Sequence, residues 1–409
     1  MRIHITILLG LGLASLGCPS KNGPDEDTSN ETDADSDADS DADSDADTDS
    51  DADSDADSDA DADFTVDTSW FGPRRLVFTT VDWGDTSPTG AFGLIGLGGT
   101  PQILVDESRR EAADLMPSCS GDRVFLLHRW LPSSDQIEIL DPDDGATLRS
   151  ADLGAWTNPQ DAVLVDERVI VANFGASSLS AVDAETGAIG EVDLASWADA
   201  DGLPEPVVMI GHGRRLVVGM ARYDQSSWSY GEPLLGFLDG ETWTPVGSVA
   251  LQSDYLFKPF QVVGDTLFLW GGGAWDWKLG YMLTGGIERV DLASGKNLGW
   301  LLSEEALGAR ILGVAWDHDG GGFWLATLDP SGDSATVAHL GWDLGATVAF
   351  STPVVTAIAA DADGGVWIGA SMPVGDTMVP TLSRADATGA ITWSTTLSAP
   401  VYGMVACEP

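Results

Sequence analysis

The sequence predicts an all-β chain, a seven-bladed β-propeller closed by its own C-terminal strand, and three observations carry the prediction. A short strand core recurs as RLVF (75–78), RVFL (123–126), RVIV (168–171), RLVV (215–218), TLFL (266–269), GFWL (322–325) and GVWI (365–368). Aligning Val77, Phe125, Ile170, Val217, Phe268, Trp324 and Trp367 gives steps of 48, 45, 47, 51, 56 and 43 residues, a period that suits several strands per unit set around a ring. From Phe64 onward the chain is made of short apolar or alternating runs punctuated by Gly, Asp-Gly, Pro and Ser, with hardly a segment at helical period.

The elements follow in chain order. Residues 1–17 read as an export signal: a basic start at Arg2, then an apolar stretch from Ile5 to Leu16 that is too short to remain as a membrane-spanning helix. The ending Ser15-Leu16-Gly17-Cys18 resembles a bacterial lipobox, with leucine at Leu16 rather than at the Ser15 position where that pattern usually has it. The resemblance implies acylation of Cys18 and attachment to a membrane through two or more chains, the number that stable anchoring needs. Ordinary signal cleavage is the alternative.

Residues 18–63 are expected to form a disordered linker behind the lipidated cysteine. Of the 65 acids in the chain, 20 lie between positions 25 and 63, at Asp25, Glu26, Asp27, Glu31 and every odd position from Asp33 to Asp63. Alternating Asp with Ala, Ser or Thr offers nothing large enough to bury against the cost of ordering, and like charges extend the segment to at most about 150 Å. Calcium loops share the alternating aspartates, but the turning glycine and closing glutamate of such a loop are missing. The segment reads as a solvated stalk. Beyond residue 63 the chain still carries 45 acids against 17 basic residues, which argues against binding a nucleic-acid backbone electrostatically.

Residues 64–409 form the propeller. Most strand cores follow another apolar run and a tight turn, as in DAVLVDERVIVANF (161–174), PVVMIGHGRRLVVGM (206–220), ILGVAWDHDGGGFWLAT (311–327) and VVTAIAADADGGVWIGA (354–370), so each reads as an inner strand hairpinned to the next strand outward. The first copy lacks that inner strand. PVYGMVACEP (400–409) matches the missing half, so the last strand is expected to complete the first blade and remove an open edge.

Two stretches carry a family resemblance. VIVANFGASSLSAVDAETGAI (169–189) resembles the bacterial YVTN-type propeller repeat, and DADGGVWIGA (361–370) resembles the Asp-Gly-Gly-aromatic unit of sensor-type propellers. The resemblance implies extracytoplasmic binding or scaffolding, as in many members, or hydrolase or lyase activity, as in some; fold alone does not choose. With Cys18 lipidated, Cys119 and Cys407 remain as an even pair in an exported protein. In the repeat register both end inner strands of adjacent blades, so a disulfide between them is expected, two buried thiols being the alternative.

No catalytic constellation announces itself. The chain has five histidines; His4 leaves with the signal, and His128, His212, His318 and His339 fall at scattered places in the repeat. Asp317, Asp319, Asp361 and Asp363 are accounted for by tight-turn chemistry, so neither metal nor cofactor is expected. The aromatic residues are more informative. Trp324 and Trp367 read as core, whereas Trp83, Trp130, Tyr223, Trp228, Tyr230, Trp275, Trp277 and Tyr281 cluster in connections after the second strand of a unit. In a propeller those connections emerge on one face. They would make an amphipathic rim for sugar rings or extended peptides, centred on the fourth and fifth copies, or else cap the outer strands.

The expected protein is a monomeric cell-outer-membrane or surface lipoprotein, with periplasmic-side attachment as the alternative. Its propeller serves as a binding module for a glycan or peptide, without nucleic acid. An exported hydrolase or lyase acting on a polysaccharide or a small ester or lactone, through carboxylates such as Asp224 or Asp276, is the chief alternative, and a structural envelope protein is the third.

Overall fold

Every one of the seven recurring cores lies on a strand buried in the middle of a sheet. The computed structural model describes residues 74–82, 88–97, 100–107, 110–111, 114–121, 123–129, 131, 133–224, 229–276, 280–317, 321–328, 332, 334–374 and 377–407, all within the unit Ala62–Pro409. The expected signal peptide, the lipidation site Cys18 and the acidic linker fall outside the described residues.

Seven antiparallel sheets form the blades of a β-propeller. The inner strands are Val401–Cys407, Asp114–Ser120, Pro159–Val165, Pro206–His212, Tyr255–Val263, Arg310–Trp316 and Val354–Ala360. The second strands, in the same blade order, are Arg75–Asp82, Arg123–Arg129, Arg168–Asn173, Arg215–Met220, Thr266–Gly272, Gly322–Leu328 and Val366–Val374. A second strand has a neighbour on each edge and a blade against each face, so its run is apolar throughout instead of alternating. Leu76, Val77, Phe125, Ile170, Leu216, Leu267, Trp324 and Trp367 are all sealed from solvent, Val217 nearly so. Fourth strands such as Thr147–Gly154 and Ala346–Thr352 lie at the rim and are largely exposed.

The first blade contains strands from both ends of the propeller. Its order is Gln102–Val105, Thr89–Gly96, Arg75–Asp82 and Val401–Cys407, with Arg75 opposite Cys407 and Thr79 opposite Gly403 in an antiparallel ladder. The closing strand also touches the inner strands Val354–Ala360 and Asp114–Ser120 on either side, so the ring is continuous. Apolar clusters bridge the seams: Phe92 and Leu94 of the first blade pack with Leu115 and Leu126 of the second. At this seam Gly403 is needed for close approach, because a Cβ there would lie 2.4 Å from Pro117 Cδ. Cys119 and Cys407 are joined in a disulfide across it, with Cα atoms 5.5 Å apart.

The outer hairpins follow local turn chemistry. In the third blade Asp183 Oδ1 accepts from the amides of Glu185 at 3.1 Å and Thr186 at 2.7 Å and from the Thr186 hydroxyl at 2.7 Å, and Gly187 takes the left-handed φ of 73° that ends the turn. Asp239 and Asp386 make the same bonds to Thr242 and Thr388. In the fifth blade the inner strand is irregular: Phe257 pairs with Trp270 and Gln261 with Phe268, so Lys258, Pro259 and Phe260 together oppose Leu269 and form a bulge.

Candidate binding face

Antiparallel order puts the connections after every second and every fourth strand on one face, and the inner hairpins on the other. On the first face the fourth and fifth blades each carry an extra two-stranded hairpin. Tyr223–Asp224 pairs with Ser229–Tyr230, and Trp275–Asp276 pairs with Gly280–Tyr281. Directly opposed residues of such a ribbon point to the same side, so Tyr223 lies beside Tyr230, with ring centroids 5.1 Å apart, and Trp275 shares a side with Tyr281. The two hairpins approach each other where the Trp275 backbone amide faces the Tyr230 phenol.

The rings differ in exposure. Trp275 is 47% exposed, whereas Tyr223 is only 4% exposed. Tyr223, expected at an open rim, therefore forms part of the floor, and burial pushes its hydroxyl up to about 12. From Tyr230 the aromatic contacts continue through Tyr255 at 6.5 Å and Phe257 to Trp270. Trp83, Trp130, Trp228 and Trp277 lie outside the described residues. Trp156 joins the same face at 65% exposure; it sits after a fourth strand, in a kind of connection the sequence reading did not search. Its φ of 64° is left-handed, as are those of Asn158, Glu205 and Arg222 on this face, a backbone cost of the sort that collects at binding sites.

Tyr281 is held by a buried carboxylate. The one-turn helix Glu304–Leu307 starts at Ser303, whose Oγ accepts from the Ala306 amide, and stops at Gly308 with φ 65°. Glu304 accepts the Tyr281 hydroxyl proton at 2.9 Å and the amides of Gly285 at 3.2 Å and Ile311 at 2.8 Å. Burial raises the Glu304 carboxyl above its ordinary value even so, and burial together with Glu304 raises the Tyr281 phenol. Above the Tyr281 ring, at 4.0 Å from its centroid, sits the Arg310 guanidinium.

Inner strands begin on this face, and polar side chains line the mouth of the axis. The bulge in the fifth blade sends Lys258 across the ring: its Nζ donates to the carbonyls of Pro117 at 2.6 Å and Gln160 at 3.3 Å and lies 3.7 Å from Asp161 Oδ1. Asp161 also accepts the Ser118 hydroxyl at 2.7 Å and the Met209 amide at 2.9 Å, so one carboxylate links four blades. Beside it Arg129 pairs with Asp114 and donates to Tyr402 Oη at 2.9 Å and Gln160 Oε1 at 2.8 Å. Burial lowers Lys258 below the usual lysine value and raises Asp114. Apart from the aromatic residues, none of this was singled out from sequence.

Other polar groups resolve locally. Asp361 and Asp363 are clamped by Arg384 of their own blade. His339, scattered by sequence, has Nε2 2.7 Å from Asp317 and Nδ1 2.7 Å from Thr347 Oγ1, under Trp324. His318 and Asp319 lie outside the described residues. Asp199, Asp201 and Glu205, in the connection between the third and fourth blades, bring carboxylate oxygens within 4.8 Å of one another. Burial raises Asp199 there, and these are the residues whose chemistry suits a hard cation.

The chain matches no protein-family model and no curated protein. Among solved structures it is similar to a putative 6-phosphogluconolactonase from Bacteroides uniformis, at 12% identity and TM-score 0.55, covering 81% of this chain and 99% of that one. A putative 6-phosphogluconolactonase from Bacteroides fragilis aligns at 11% identity and TM-score 0.54, covering 82% and 98%. AztD from Citrobacter koseri aligns at 14% identity and TM-score 0.49, covering 82% and 98%. At such identities the first two likenesses speak to fold alone, and the third carries no argument.

Proposed function

We propose that the protein is a cell-envelope binding module whose propeller recognises an extended ligand, a glycan or a peptide, across the hairpins of the fourth and fifth blades. The carrying observation is the pairing of those two hairpins on one face, with half-exposed Trp275 beside Tyr281 and Tyr230. Aromatic faces flanked by hydroxyls and carboxylates give apolar stacking area with polar edges, the surface that sugar rings and extended peptides fit. The buried Glu304 and Tyr223 beneath hold the rings in place before a ligand arrives, which lowers the ordering cost of binding. In this reading Cys18 carries the lipid and residues 18–63 are the stalk; mass spectrometry of the mature N-terminus tests that part.

For the face itself, the mature chain is screened on glycan and peptide arrays and the best hits titrated against W275A. Losing one central tryptophan contact is worth about 2 kcal/mol, so affinity should fall about thirtyfold with an unchanged melting temperature. Equal affinity in W275A would move the site elsewhere.

A further inference from the structure

Resting on the binding face proposed above, we propose that the ligand is an acidic glycan, and that Arg310 receives the carboxylate of one of its sugar units while Trp275 and Tyr281 take the ring faces. Arg310 opens the inner strand Arg310–Trp316 of the sixth blade, next to the one-turn helix, and its guanidinium lies 4.0 Å from the Tyr281 ring centroid. Stacking on an aromatic face leaves the donor edge of a guanidinium free for two parallel bonds to a carboxylate.

Among the described residues that edge is unclaimed. Arg310 makes no hydrogen bond or ion pair, and its Nε is buried without a partner. The neighbouring Glu304 carboxylate attracts the guanidinium at a distance, but its oxygens are engaged with the Tyr281 hydroxyl and the amides of Gly285 and Ile311. Arg310 is half-buried and not sealed as a residue, so an arriving carboxylate would pair with the part of the guanidinium that solvent reaches.

The position specifies the rest of the ligand. Trp275 and Tyr281 oppose each other across the hairpin ribbon and point to one side, and Arg310 stacks on the Tyr281 ring. A carboxylate at Arg310 is therefore attached to a group lying along aromatic rings. A pyranose with its carboxylate at the ring edge has that shape; a neutral sugar would leave the guanidinium unpaired. The acidic surface works against polyanions at long range, but exposed charges farther away than about 8 Å are screened at physiological salt, so the contact at Arg310 governs.

The test uses the full mature chain with oligogalacturonides, their methyl esters as uncharged ring-matched controls, and an acidic peptide. The expected result is that the free acids bind about tenfold to a hundredfold more tightly than the esters, that R310Q removes the difference, and that R310K restores only part of it. Binding of acids and esters with equal affinity, both weakened by W275A, would overturn the carboxylate assignment and leave the binding face standing. Binding of the acidic peptide alone would overturn the glycan assignment. No binding of any probe, together with array hits indifferent to W275A, would overturn both.

Discussion

Removing the Cys119–Cys407 cross-link by C119S/C407S should cost the propeller several kcal/mol without altering its native spectrum. The two cysteines are 288 residues apart in sequence, so the bond closes a loop spanning nearly the whole ring. Restricting an unfolded loop of that length is worth about 5.7 kcal/mol at 25 °C in the chain-entropy model, and measured disulfides deliver about 2 to 5. For a domain of this size that is a drop of about 3 to 7 °C in melting temperature. The assay is thermal and urea unfolding of the wild type with and without reductant beside the double variant; reduced wild type and variant should superimpose, both below the oxidised protein. Equal melting of all three samples, or titration of both thiols in unreduced denatured protein, would refute the reasoning.

Three further outcomes are expected. Replacing Gly403 by Val forces a side chain into the space of Pro117 at the closing seam and should destabilise by about 2 kcal/mol; limited proteolysis should then cut first in the blade formed by both ends of the ring. Asp161→Ala leaves the Met209 amide without its carboxylate acceptor and the buried Lys258 ammonium without its counter-charge, costing about 3 kcal/mol in urea titrations, whereas Lys258→Met, which removes the charge and fills the space, should cost less. Asp183, Asp239 and Asp386 are held below the usual carboxylate range by their turn amides and hydroxyls. With the folded value below the unfolded one, their contribution is fully present above about pH 4 and lost as pH falls through the folded value. D183A should thus melt below wild type at pH 7, by a margin that shrinks as pH falls below about 4.

Much of the ring was legible because its determinants are local and repeated. A strand enclosed on both edges and both faces must be apolar at consecutive positions, which is why RVIV and GVWI mark second strands without ambiguity. The orphaned half-unit at 400–409 and the matched positions of Cys119 and Cys407 gave the closure and the cross-link. At the candidate site, the long aromatic connections of the fourth and fifth copies do fold as extra hairpins on one face, but ring exposure depends on what folds beneath them, so Tyr223 and Trp275 looked alike in sequence and differ in the fold. The axial group was invisible for another reason. Lys258 finds Asp161, Pro117 and Gln160 only because a bulge turns it out of the ladder and across the ring, and neither the bulge nor those distant partners leave a periodic trace. His339 and Asp317 meet because the inner hairpin and the third strand of one blade bring them together across the second strand, a register that spacing alone does not fix.

The strand Arg75–Asp82 enters the ring on the side of the inner hairpins, where Arg75 Nε donates to the Pro142 carbonyl at 2.9 Å, while the aromatic hairpins stand at the opposite pole. Given the proposed N-terminal anchor, a pull on it enters the propeller at one pole, while the hairpins of the proposed binding face stand at the other. Tension along that strand is shared by the ladders to Thr89–Gly96 and Val401–Cys407, so it loads two rows of bonds in shear at once instead of unzipping one from its end.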